Sequence, residues 1–125
     1  PDTDAGGVVY HANYLKFLER GRSECLRLLG IEQDVLRDDH GVLFAVHSLT
    51  IDFQLPAVFN DEITINTQIS ACKKATILFQ QQLVNNKNNQ QLTAATVKIA
   101  CIDSDTLKPK AMPLDVMGKL RDCIK

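Results

Sequence analysis

Between residues 11 and 29 the chain carries apolar side chains at helical spacing. Tyr14, Leu18, Cys25 and Leu29 fall near one face, flanked by Leu15 and Leu26, while Glu19, Arg20, Arg22, Glu24 and Arg27 supply the opposite, wet side. That spacing predicts one long amphipathic helix, with Gly30 as its stop. A shorter helical piece is predicted over residues 33–38, closing at His40-Gly41. The period then changes to two. Leu43, Ala45, His47, Leu49, Ile51 and Phe53 alternate with partners on a second face until Pro56. Ile63, Ile65, Thr67 and Ile69 form a second alternating run, Ile77, Phe79, Gln81 and Leu83 a third, and residues 92–102 a fourth with Val97, Ile99 and Cys101 on one face. Period-two runs separated by polar turns, such as Asn85-Asn86-Lys87-Asn88-Asn89, read as strands. Pro113 suits the start of a short closing helix over residues 113–123.

The order is therefore loop, long helix, at least four strands, small helix. Short consecutive connections imply antiparallel pairing. A sheet with one apolar face needs a cover, and only the helix of residues 11–29 is long enough to be it. The predicted class is α+β, a curved antiparallel sheet wrapped around one long central helix, within a single domain of residues 1–125.

Composition narrows the function. The chain has 125 residues, 45% of them hydrophobic and 23% charged, which is an ordinary globular balance. A net charge of -1 argues against a global grip on nucleic acid or an anionic membrane. No apolar run approaches a membrane span. Cys25, Cys72, Cys101 and Cys123 form no C-x-x-C pair and have no histidine at zinc-finger spacing, so they read as reduced small hydrophobes. His11, His40 and His47 lack metal-ligand spacing, and no metal site is expected. Ser23 and Ser48 lack a nucleophile-elbow context. The expected compartment is the cytoplasm.

Chemistry concentrates ahead of the long helix, in Asp2-Thr3-Asp4-Ala5-Gly6-Gly7-Val8-Val9-Tyr10-His11-Ala12-Asn13-Tyr14. Gly6 and Gly7 permit a tight backbone path and close approach by a ligand. A helix start offers unpaired N–H groups and a partial positive charge that can hold a developing oxyanion. A carboxylate beside it can act as nucleophile or general base. The parts suit attack on a carbonyl. Taken as residues alone they more readily describe a polar turn with an aspartate capping a helix.

The string DTDAGGVVYHANYLKFLERGR resembles the signature of the YbgC-type, Tol-Pal-associated acyl-CoA thioesterases, relatives of 4-hydroxybenzoyl-CoA thioesterase. Ser48-Leu49-Thr50-Ile51-Asp52-Phe53, Pro56 and Asp61-Glu62-Ile63 continue the likeness over nearly the whole chain. The resemblance implies the hotdog fold, with the sheet as bun and the long helix as sausage. It implies Asp4 as the catalytic aspartate and His11 as the residue whose backbone N–H polarises the thioester carbonyl, its side chain assisting in positioning or proton transfer. Gly6, Gly7, Val8, Tyr10 and Ala12 are the implied substrate contacts. The implied substrate is acyl-CoA, with acyl carrier protein as a further partner, no cofactor, and a homodimer or homotetramer whose sites form between subunits. The family usually carries a strand before this motif, absent from the sequence as it starts at Pro1, so a sheet edge is expected to stand unpaired. Glu19 reads as solvent-facing, although some relatives use a helix glutamate; Lys73, Lys74 and Lys98 read as surface lysines. Two rivals remain: a non-catalytic hotdog protein that binds acyl-CoA or acyl carrier protein, and a hotdog dehydratase.

Overall fold

The structure, a computed structural model, describes residues 11–55 and 62–124; the side chains of His11 and Ala12 are outside that description. Its elements are α1 (His11–Leu28), α2 (Gln33–His40), β1 (Val42–Phe53), β2 (Ile63–Cys72), β3 (Thr76–Asn85), β4 (Gln91–Asp103) and α3 (Leu114–Asp122). Each predicted element is present, and boundaries move by a few residues at most. α1 ends where glycine was expected to stop it: Gly30 takes φ +78° and donates its N–H to the Arg27 carbonyl. Ile31 then donates to the Leu26 carbonyl, which turns the chain back onto the core.

The four strands form one antiparallel sheet in the order β1-β4-β3-β2. Consecutive pairing holds for β2-β3 and β3-β4, but β1 pairs with β4 and not with β2. β1 and β4 are the longest strands, at 12 and 13 residues, and the register Val42↔Asp103 through Phe53↔Thr93 uses nearly the full length of both. A β1-β2 hairpin would leave that match unused.

The alternation along β1 also differs from the simple reading. The register shifts between Val46 and Ser48, a bulge at His47. One extra residue reverses which parity faces the helix side. Before the bulge Val42 and Phe44 join the core; after it Ile51 does, and the Phe53 ring meets Tyr14. The exposed Leu49, His47 and Val46 lie around the switch. β2 carries a second shift, between Ile69 and Ala71.

Two apolar clusters hold the layers together. One gathers Leu26 from α1, Phe79, Val97 and Ile99 from the sheet, and Val116 and Leu120 from α3. The other sets Tyr14 and Leu18 on Leu83, Leu92 and Ala95. Leu18, Phe79, Leu83 and Val97 are wholly buried. Each such side chain contributes about 1.5–3 kcal/mol, so the helix-on-sheet contact is the main tie between α1 and the strands. Leu15, expected beside this face, instead points outward. The architecture is the expected α+β arrangement, a curved antiparallel sheet with α1 packed on one face. Among the described residues no helix is long and apolar enough to cross a membrane.

Candidate functional site

Among the described residues α1 runs from His11 through Leu28, 18 residues. The partial positive charge of its amino end is not offset from within, because the first turn contains no acidic residue. Three residues on, Tyr14 is buried and stacks on Phe53, with ring centroids 5.4 Å apart and planes 24° apart. The same end rests on Leu83, Leu92 and Ala95. The amino terminus of α1 is therefore seated on the late part of β1, the late part of β3 and the start of β4. This packing fixes the described amino-terminal turns of α1 against the sheet.

Asp4, Gly6, Gly7, Val8 and Tyr10 lie outside the described residues, as does the side chain of His11; Ala12 sits in the first turn of α1. What the structure contributes is the platform these residues lead into.

Halfway along α1 a polar contact crosses the apolar layer. Gln81 of β3 is only 1% exposed. Its Nε2 donates to the Leu18 carbonyl at 2.9 Å and to Thr67 Oγ1 at 3.0 Å, and its Oε1 accepts from Arg22 Nη1 at 3.0 Å. The contact is close because Gly21 has no side chain: a Cβ there would come within 2.7 Å of both Ile65 Cγ2 and Thr67 Oγ1. Arg22, expected on the wet side, is half-buried as a result, and loss of solvation pulls its pKa down while Glu19 pulls it up. Sequence reading treated Gln81 as one more member of an alternating strand. The available signal was a polar residue at an apolar position, between Phe79 and Leu83.

Cavities flank α1 on both sides. One of about 560 Å³ lies between α1 and β2, lined by Gly21, Cys25, Leu28, Leu29, Ile63 and Ile65 among others. The other, about 280 Å³, lies toward β1 and is floored by Phe44, Val46, Phe79 and Ile99, with Glu19 and Arg22 at its side. Glu19 is exposed, as expected, and borders this space.

The remaining candidates separate from the site. His40 ends α2, and His47 sits exposed on the β1 bulge. Among the described residues no group of side chains could hold a metal ion. Ser23 and Ser48 are exposed, as are Lys73, Lys74 and Lys98. The cysteines are unpaired. Burial raises the thiols of Cys25 and Cys72 and pushes Cys101 up to about 11. These three are protonated at neutral pH and are poor nucleophiles. Thr93 Oγ1 is buried without a hydrogen-bond partner, and nothing among the described residues explains it.

With this geometry in hand, the likeness to known proteins is informative. The family profile of the thioesterase-like superfamily matches residues 1–120. The acyl-CoA thioesterase YbgC of Haemophilus influenzae is 47% identical over 115 residues, which covers 92% of this chain and 83% of that protein. Among solved structures, a probable thioesterase of Bartonella henselae is 38% identical with a TM-score of 0.81, over 90% of each chain. The 1,4-dihydroxy-2-naphthoyl-CoA thioesterase of Synechocystis superposes with a TM-score of 0.87 at 21% identity, over 97% of this chain and 88% of its own, a likeness of fold.

Proposed function

Since the chain belongs to the thioesterase-like superfamily, as a relative of the YbgC-type acyl-CoA thioesterases, we propose that it hydrolyses an acyl-CoA thioester to the free carboxylic acid and CoA. The observation that carries this reading is the 47% identity to an acyl-CoA thioesterase across 92% of the chain.

In the proposed reaction Asp4 attacks the thioester carbonyl to give a mixed anhydride, or takes a proton from the water that attacks it. Either route consumes one water and releases the acid and the CoA thiol. The His11 backbone N–H and the positive end of α1 stabilise the oxyanion. The place of His11 in the first described turn of α1 and the seat of that end on the sheet support that role. The His11 side chain positions the substrate or relays a proton. Gly6 and Gly7 let the acyl group approach the backbone, and Val8, Tyr10 and Ala12 line it. A thiolate leaves readily, so the chemistry demands neither a strong general acid nor a cofactor. The free cysteines agree with a reducing compartment, and we place the reaction in the cytoplasm.

The test is a panel of acyl-CoA substrates of increasing chain length, read with a thiol-detecting reagent, with acyl carrier protein loaded with the same acyl groups run beside it. We expect thiol release from CoA substrates in at least one length class. No release across the whole panel would instead assign the chain to acyl-CoA or carrier-protein binding without turnover.

A homodimer, itself able to pair into a homotetramer, completes the proposal. Among the described residues β1 and β2 are the sheet edges. Among the described residues the outer side of β1 has no strand neighbour, and it exposes Val46 (54%) and Leu49 (38%), an edge suited to pairing with a second copy. Lysine at both positions, in an antiparallel pair, sets like charges close together across the edge. The double variant Val46→Lys, Leu49→Lys is expected to sediment as a monomer. An oligomer mass unchanged from the parent protein would remove β1 as the interface.

A further inference from the structure

Gln81 occupies a position where an apolar residue would be expected, and its side chain is nearly without solvent contact. A buried amide left without partners is destabilising. Here both its nitrogen-bound hydrogens and its oxygen are engaged. Both amide hydrogens are donated, to the Leu18 carbonyl and to Thr67 Oγ1, and the amide oxygen accepts from Arg22. Two of the three partners, Leu18 and Arg22, belong to α1 and bracket Gly21.

These bonds constrain what the apolar contacts cannot. Hydrophobic burial is non-directional, so a smooth helix face tolerates small slides and rotations along a sheet. Hydrogen bonds weaken steeply with distance and angle. A slide of α1 by one residue, about 1.5 Å, would pull Leu18 O and Arg22 Nη1 away from Gln81 together. Turning the amide over would set its oxygen against a carbonyl and its hydrogens against a guanidinium. The two bonds to α1 are made together only near the observed slide and rotation of the helix. Thr67 ties the same amide to the edge strand β2. Gly21 lets the helix come close enough for this contact. It lies ten residues past His11, about 15 Å along a stiff helix, so an error of position here is carried to the amino end.

We infer that Gln81 is a positioning residue for thioester hydrolysis, one that fixes the slide and rotation of α1 over the sheet and so aims the amino end of the helix at the substrate carbonyl. This rests on the reading that the reaction takes place at that end of α1. Gln81 touches no substrate. Arg22 and Thr67 are the other halves of the lock.

The test compares Gln81→Met, which keeps the volume and removes all three bonds, with Leu120→Ala, which removes a wholly buried side chain on α3 that belongs to no bond of the lock. A misplacement of about 1 Å can cost about a hundredfold in rate. We expect the folded Gln81→Met protein to lose kcat by at least about tenfold with KM within about twofold, because the substrate contacts remain and only their alignment changes. Leu120→Ala, with a comparable or larger loss of thermal midpoint, keeps kcat within about twofold. Should Gln81→Met fail to fold, Thr67→Val removes a single bond from the amide without changing its shape. It is expected to lower kcat by about threefold at unchanged KM. A folded Gln81→Met protein with parental kcat overturns the inference, as does a kcat loss no larger than that of Leu120→Ala, or an unchanged kcat in Thr67→Val when that variant has to stand in. Asp4→Asn is assayed in parallel. If it is inactive while Gln81→Met is fully active, only the positioning role falls. If Asp4→Asn is active, the assignment of Asp4 falls, and with it the site that this lock serves.

Discussion

Asp4→Asn is expected to lower kcat by roughly a thousandfold, the central range for loss of a positioned base. Asparagine matches aspartate in size but cannot attack as a carboxylate or hold a proton taken from water. Under either proposed route the chemical step loses its driver while the substrate contacts survive, so KM stays close to the parental value. The helix, the sheet and the Tyr14–Phe53 stack that seats the amino end of α1 involve other residues. Thermal midpoint and sedimentation mass are therefore expected to match the parent. Thiol release by Asp4→Asn within about tenfold of the parent protein would be incompatible with a base or nucleophile at this position.

Phe79→Ala is expected to have the largest effect on stability, a loss of about 3–5 kcal/mol. Phe79 is wholly buried on the helix-facing side of β3, in the cluster that joins α1, the sheet and α3. It also floors the cavity beside β1, so the gap left by its ring would add to an existing space that already borders solvent. Collapse onto that gap would draw on Phe44 and Ile99, which are held by the β1-β4 register. For a domain stabilised by about 5–15 kcal/mol this is a large fraction of the whole. The measurement is urea unfolding at a common temperature, with the slope unchanged and the midpoint well below the parental value. A loss under about 1 kcal/mol would mean that the cluster repacks freely and is not the tie between layers.

These two residues also differ in how they could be read. Phe79 follows from period-two alternation, which is a local property of β3. Asp4 does not follow from any period. As a residue before a helix it fits a cap as well as a catalyst, and the extended string through Tyr14 is what singles it out. Gln81 is a third case. Alternation correctly placed it on the inner face, but nothing nearby in the chain indicates that its partners are Arg22 and Leu18, 59 and 63 residues away. Arg22 was misplaced for the same reason. Helical spacing put it on the wet side, and a single long-range hydrogen bond draws it half inside. β1 shows the limit of alternation itself. The bulge at His47 reverses the inward parity, and it becomes visible only against β4, because a bulge is defined by two residues facing one on the neighbouring strand.

The amino-acid sequence by itself determined the elements, their order, the α+β class and the family. Those depend on short-range periodicity, on glycine and proline stops, and on one contiguous motif, all of which are carried by neighbours along the chain. The tertiary structure alone decided that β1 pairs with β4, which polar groups enter the core, and where along the sheet α1 comes to rest. Each of those depends on directional hydrogen bonds and side-chain contacts between residues far apart in the chain, and such partners acquire their distances and angles only when the layers close on one another.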